Sequence, residues 1–177
     1  MKTDIREVLA NFKDGKMELE EALSAIAVNF TDDMGFANLD TDRLRRTGIP
    51  EVIYCAGKTT EQVKQIVERL HQRGINILAT RATEEMYHAV KESIPEVTFN
   101  SLAKTIIYKK PEPVNKKGYI VVITAGTSDL PVAEEAVETA RFLNNEVIPV
   151  YDVGVAGIHR LFSKLDIIRN ARVIIVV

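Results

Sequence analysis

The run Val121-Val-Ile-Thr-Ala-Gly-Thr-Ser-Asp129, followed at once by Leu-Pro-Val-Ala-Glu-Glu-Ala136, constrains the fold of this chain more than any other stretch. Its apolar half predicts a buried parallel strand, and its small residues predict a turn that opens a helix. Pro131 falls in the first helical turn, where its missing N–H has no intrahelical acceptor to lose. Such a unit sets backbone N–H groups at the carboxyl end of a strand, beside the positive end of a helix dipole. That place suits phosphate, carboxylate or carbon dioxide. Ser128 adds a hydroxyl and Asp129 a carboxylate able to handle protons. The same residue types are ordinary helix N-caps, so anion site and cap are both open readings of Gly126, Thr127, Ser128 and Asp129.

Around this unit the pattern divides. Residues 3–25 read as two short helices interrupted at Asp14-Gly15, residues 25–30 as a short strand, and residues 31–46 as polar and irregular. A strand over 51–55 and a turn over 56–59 precede a helix with Val63, Ile66, Val67 and Leu70 on one face, opened by a Thr59/Gln62 capping box. A strand at 75–79, a helix at 83–93 and strands near 96–99 and 105–108 follow. Lys109 to Gly118 holds two prolines and four lysines without apolar period, as a linker does. Beyond it come strand (119–124), helix (130–143), strand (146–151), helix (about 155–169) and strand (172–177). That alternation predicts an open parallel α/β sheet. The expected organisation is an N-terminal α/β region at 1–110, a linker at 111–118 and a second domain from 119 to 177. The last strand, Arg172 to Val177, ends where a doubly wound fold binds ligands, and three strands with two helices make a thin core. The expectation is a fragment, or a chain that depends on partner subunits.

The 177 residues include 46% hydrophobic and 27% charged side chains, enough for a core. A net charge of -2 gives no reason to expect nucleic acid or a membrane surface as partner. No apolar run nears the roughly 18 residues of a membrane span, and the polar start is not a signal peptide. One cysteine, Cys55, excludes an internal disulfide and a thiolate cluster. A cytoplasmic, reducing setting is expected.

Val150 to Arg160 also follows a strand, so Asp152 and the Gly154/Gly157 loop should emerge on the same edge as Ser128. His159 and Arg160 begin the next helix, against the preference of its dipole. This suits a ligand role, or equally an Arg160 ion pair and a surface histidine. Asp42 to Glu51 sets Arg43, Arg45 and Arg46 beside a Gly/Pro turn, as phosphate recognition would, or as a solvated charge run would. Gly57-Lys58-Thr59 looks like the end of a P-loop whose first glycine is absent, although Lys58 and Thr59 at a helix start are placed for a phosphate. Thr80-Arg81 is similarly placed. Cys55, in an apolar strand, reads as a small buried hydrophobe.

Taken together, Thr124 to Ala136 resembles the signature turn of PurE-like aminoimidazole ribonucleotide carboxylases and mutases. The chain is closer still to the PurE-related LarB family, also called circadian phase modifier-like. The matching stretches are Asp42-Arg-x-x-Arg-Thr-Gly-x-Pro-Glu51-Val-Ile, Gly57-Lys-Thr59 and Tyr151-Asp-Val-Gly-Val-Ala-Gly-Ile-His-Arg160. The resemblance implies a PurE-like, flavodoxin-like parallel-sheet domain after a small α/β region, incomplete at its C-terminus. It implies carboxylation of the pyridinium ring of nicotinic acid adenine dinucleotide with carbon dioxide or bicarbonate. It also implies hydrolysis of the phosphoanhydride by water, releasing AMP, in biosynthesis of a nickel-pincer nucleotide.

Carried onto this chain, Gly126, Thr127, Ser128 and Asp129 hold the carboxylating centre, with Asp129 accepting the ring proton and Asp152 adjoining. Arg43, Arg46, Lys58 and Thr59 are the candidates for the phosphates, and Asp42 or Glu51 for magnesium, the implied cofactor. The family's cysteine, which adds to the ring, belongs beyond the 172–177 strand, and Cys55 does not occupy that position. A homo-oligomer is implied, octamers being common among PurE-like domains. The competing readings are a purine-pathway carboxylase or mutase and a non-catalytic regulatory protein.

Overall fold

The computed structural model describes residues 4–27, 31–113 and 115–177. By contacts the chain forms two compact units, Met1–Glu51 and Val52–Val177.

In the first unit, α1 (Ile5–Lys13) and α2 (Leu19–Ala27) form a helical hairpin. Asp4 caps α1 by accepting the Arg6 N–H at 2.9 Å. The strand expected over 25–30 is replaced through Ala27 by α2, because the apolar residues from Leu19 recur at helical spacing; 28–30 lie outside the described residues. The stretch expected to be irregular, 31–46, holds an antiparallel pair, β1 (Thr31–Asp33) and β2 (Asn38–Asp40), and then α3 (Arg43–Thr47). Its strands are three residues long and polar, so no apolar alternation announces them. Gly35 turns the hairpin at φ 81°, and its N–H donates to Asp33 Oδ1 at 2.8 Å.

The second unit carries two sheets. The first has the order β3 (Val52–Tyr54), β4 (Ile77–Thr80), β6 (Thr105–Tyr108), β5 (Thr98–Asn100). β3 and β4 are parallel and joined through α4 (Thr60–Gln72), whereas β6 runs antiparallel to both neighbours. The Thr59/Gln62 capping box is formed, and Val63, Ile66, Val67 and Leu70 are all buried. Each such aliphatic side chain contributes about 1.5–3 kcal/mol of burial. α5 (Glu84–Ser93) packs beside α4, capped by Thr83.

The second sheet is wholly parallel, in the order β8 (Asn145–Val150), β7 (Asn115–Ile123), β9 (Val173–Val176). Central β7 sends Val122 to a core with Ala133, Val137 and Ala140 of α6 (Leu130–Phe142), and Val121 to a core with Val150 and Val153 on the other face. The single helix expected over 155–169 is instead a 3-10 turn (Val155–Gly157), α7 (Ile158–Phe162) and α8 (Leu165–Arg169). Gly157 leaves helical geometry at ψ 59°, and Lys164, at φ -111° and ψ 4°, separates the two helices.

The contact boundary falls at Glu51/Val52, away from the composition boundary at 109–118. The lysine-rich segment is tied down on both sides. Lys109 Nζ donates to the Arg141 carbonyl at 2.9 Å, and the Lys110 N–H to Asn76 Oδ1 at 3.0 Å. Glu112 accepts from both Asn76 and Asn144, and those hydrogen bonds hold its carboxyl below the usual range.

Candidate functional site

The loops that leave β7 and β8 meet at the carboxyl edge of the parallel sheet and are stitched together by backbone. The Thr124 N–H donates to the Val150 carbonyl at 3.2 Å, Val153 N–H to Thr124 O at 3.0 Å, and Gly154 N–H to Ala125 O at 3.0 Å. Thr124, fully buried, accepts the Asp152 N–H on its hydroxyl at 3.1 Å. Parallel neighbours deliver their loops to one edge, and these bonds fix the register between them. Asp152 sits at φ 57°, a left-handed conformation that aspartate tolerates better than most residues.

Within the first loop, Thr127–Asp129 is a 3-10 turn leading into α6. Asp129 occupies the cap position of α6 but makes no side-chain cap bond to it. Its carboxylate turns back, accepting the Gly126 N–H at 3.1 Å and the Ser128 hydroxyl at 3.3 Å. The acid is thereby aimed into its own turn, at the positive end of α6.

On the second loop, Arg160 of α7 reaches back to pair with Asp152. A β-carbon on Gly157 would stand 2.7 Å from Arg160 Nε, so the glycine leaves the space that the guanidinium crosses. The ion-pair reading of Arg160 is the one observed, and His159 is exposed.

Two acids of α6 that the sequence did not single out, Glu134 and Glu135, join this edge to the first sheet. The Tyr151 hydroxyl donates to Glu134 Oε1 of α6 at 2.8 Å, while Asn100 at the end of β5 donates to Glu134 Oε2 at 3.4 Å. Burial, then the Glu134 hydrogen bond, pushes the Tyr151 phenol well above its usual range. Arg81, at φ 56° after β4, pairs with Glu135 at 2.9 Å. A tyrosine directly before Asp152 and paired acids on α6 were the available cues.

The other candidates have local roles. Lys58 Nζ donates to the Tyr54 carbonyl at 2.9 Å, and Thr59 caps α4. Cys55 is fully buried, and burial pushes its thiol up to about 11. In the first unit, Asp42 accepts from Arg45 Nε at 2.8 Å and Nη2 at 3.1 Å. That hydrogen bond and the charges of Arg45 and Arg46 hold its carboxyl below the usual range against desolvation. Arg46 also pairs with Asp40, whose N–H donates to Glu51 Oε2 at 2.6 Å. Arg43 is exposed. Asp42 is thus held by Arg45 and Arg46 and Glu51 by the Asp40 backbone, and among the described residues no three His, Cys, Asp or Glu side chains are grouped to hold a metal.

Residues 31–110 match the family of the LarB/PurE-like N-terminal domain. An uncharacterized protein of Methanocaldococcus jannaschii is 37% identical over 172 residues, covering 93% of this chain and 67% of that protein. This chain belongs to the LarB/PurE-related family. A carboxylase-related function follows at family level. In this LarB/PurE-related chain the stitched loops lie on the parallel sheet after residue 110, beyond the matched N-terminal domain. No helix among the described residues is long and apolar enough to cross a membrane.

Proposed function

We propose that this chain supplies the substrate-holding and proton-accepting loops of a carboxylase acting on nicotinic acid adenine dinucleotide. The carrying observation is the backbone-stitched pair of loops at the carboxyl edge of β7 and β8, which brings Ser128, Asp129 and Asp152 to one edge. In the reaction so read, a nucleophile adds to the pyridinium ring and makes a ring carbon electron-rich; that carbon forms a bond to carbon dioxide, the proton it loses passes to the Asp129 carboxylate, and departure of the nucleophile restores the ring. Gly126 N–H and the Ser128 hydroxyl hold that carboxylate before the transfer, so little reorganisation accompanies it. The positive end of α6 favours the anionic carboxylate being added. Water then cleaves the phosphoanhydride to release AMP, with Lys58 and Thr59, at the start of α4, as the proposed phosphate contacts.

Cys55 is not the group that activates the ring. A fully buried thiol with its pKa near 11 supplies almost no thiolate at neutral pH. Binding without full turnover is therefore the expected behaviour of these 177 residues. Calorimetric titration with nicotinic acid adenine dinucleotide tests the reading. Saturable binding that Asp129→Ala weakens about tenfold supports it, a loss near 1.4 kcal/mol. Absence of binding by the unaltered chain would sink it and favour a regulatory role.

A further inference from the structure

We propose that Glu134 of α6 is a positioning residue, through which the first sheet sets the Asp152 loop. The inference rests on the reading of that loop as a ligand-holding one, and it gives the matched N-terminal domain a part in building the site. The two carboxylate oxygens of Glu134 take one donor each, from different sheets. Oε2 accepts from Asn100 Nδ2 at the end of β5, and Oε1 from the hydroxyl of Tyr151, the residue before Asp152. Among the described residues the other bridge from α6 to the first sheet is the Arg81–Glu135 pair. Its arginine is 48% exposed, so solvent screens it and it contributes less to such a hold.

Both donors are themselves fixed. The Asn100 amide cannot turn over, because its Oδ1 already accepts the Leu102 and Ala103 N–H groups at 3.1 and 3.0 Å. Its Nδ2 is therefore the end presented to Glu134. Tyr151 seats its ring against the core of Val122, Ala133 and Val137 under α6. Burial raises its phenol, which stays protonated and donates. Asp152 follows at φ 57°, with its N–H on the Thr124 hydroxyl. A residue other than glycine persists in that conformation only where its surroundings over-determine it. The Thr124 hydroxyl supplies one such restraint from β7, and the Tyr151 anchor on Glu134 supplies another from α6. Through Asn100, the second restraint reaches back to the first sheet.

Exchanging donor and acceptor in the full chain tests this. Asn100→Asp keeps the oxygen that holds the Leu102 and Ala103 N–H groups but sets a second carboxylate against Glu134. Amide hydrogen exchange at Asp152 should then quicken about tenfold, the worth of one hydrogen bond. Glu134→Gln added to it should restore slow exchange, since the new amide donates to that carboxylate while its oxygen still accepts from Tyr151. Tyr151→Phe should match Asn100→Asp at Asp152. The Val121 and Val122 amides in β7 should not change, which a general loss of stability would not allow. Unchanged exchange at Asp152 in Asn100→Asp overturns the proposal, as does a double variant without rescue, or a rise shared equally by β7. Titration with nicotinic acid adenine dinucleotide keeps the two readings apart. An affinity lowered about tenfold by Asn100→Asp and recovered in the double variant supports both, and an affinity unmoved by Asn100→Asp overturns the positioning role. If the unaltered chain binds none, the ligand-holding reading falls, and exchange at Asp152 still decides whether Glu134 holds the loop.

Discussion

The Gly154 N–H donates to the Ala125 carbonyl at 3.0 Å, and a β-carbon built on Gly154 would stand 2.8 Å from that same oxygen. The obstacle is backbone, so no rotamer change relieves it, and Gly154 has an ordinary extended φ of -62°. The glycine is there for proximity rather than for conformational freedom. Gly154→Ala must part the two loops, at a cost of about 1–3 kcal/mol. Thermal melts should show a lower Tm, and titration with the dinucleotide should show weaker binding. An unchanged Tm would mean that the loops are slack.

Thr124 holds the same junction through its side chain. Its hydroxyl takes the Asp152 N–H while its backbone bonds both Val150 and Val153. Thr124→Val keeps the shape and removes the acceptor, leaving the Asp152 N–H unpaired at a cost of about 1–3 kcal/mol. Thr124→Ser should retain most of the stability. Urea denaturation separates the two variants, and faster hydrogen exchange at the Asp152 amide in Thr124→Val identifies the cause. Equal midpoints for Val and Ser would refute the role.

What the sequence disclosed depended on how local the determining physics is. The face of α4 is legible because Val63, Ile66, Val67 and Leu70 repeat at helical spacing and Thr59 with Gln62 caps them within three residues. The turn at 126–129 is legible for the same reason. By contrast, the antiparallel placement of β6 beside β4 depends on pairing between segments some thirty residues apart, which no window of sequence contains. The bond made by the Thr124 hydroxyl is not legible, because a threonine ending an apolar strand looks like another β-branched strand residue. The stop at Lys164 carries no glycine or proline to announce it, so the periodic residues beyond Val155 read as one helix. Asp42 was legible as an acid beside arginines, but its bidentate hold by Arg45 is a matter of rotamers.

Cys55 gives a chemical handle on the core of the second unit. Burial raises its thiol to about 11 from an ordinary value near 9, so the folded state favours the protonated form. The stability this contributes is fully present below the unfolded pKa and is lost as pH rises from about 9 through 11. Labelling by a thiol reagent at pH 8 should be slow in native buffer and rapid in denaturant. Cys55→Ser should destabilise, because it buries a hydroxyl where a weakly polar thiol lay. Rapid native labelling would contradict the buried assignment and reopen Cys55 as a nucleophile.

The Asp42–Arg45 pair predicts an acid limb in the first unit. The Arg45 hydrogen bond, then the charges of Arg45 and Arg46, lower the Asp42 carboxyl from an ordinary 3.8 despite desolvation. A folded-state pKa below the unfolded one contributes stability that is present above the unfolded value, near pH 4, and lost as pH falls through the folded value. Protonation there leaves Arg45 without its bidentate acceptor. Asp42→Asn should therefore be less stable than the unaltered chain at pH 7, with the difference shrinking below about pH 4. Helical circular dichroism followed during acid titration of the two proteins measures this. Parallel acid transitions would show that the pair adds nothing to folding and that the Asp42 carboxylate is held for another purpose.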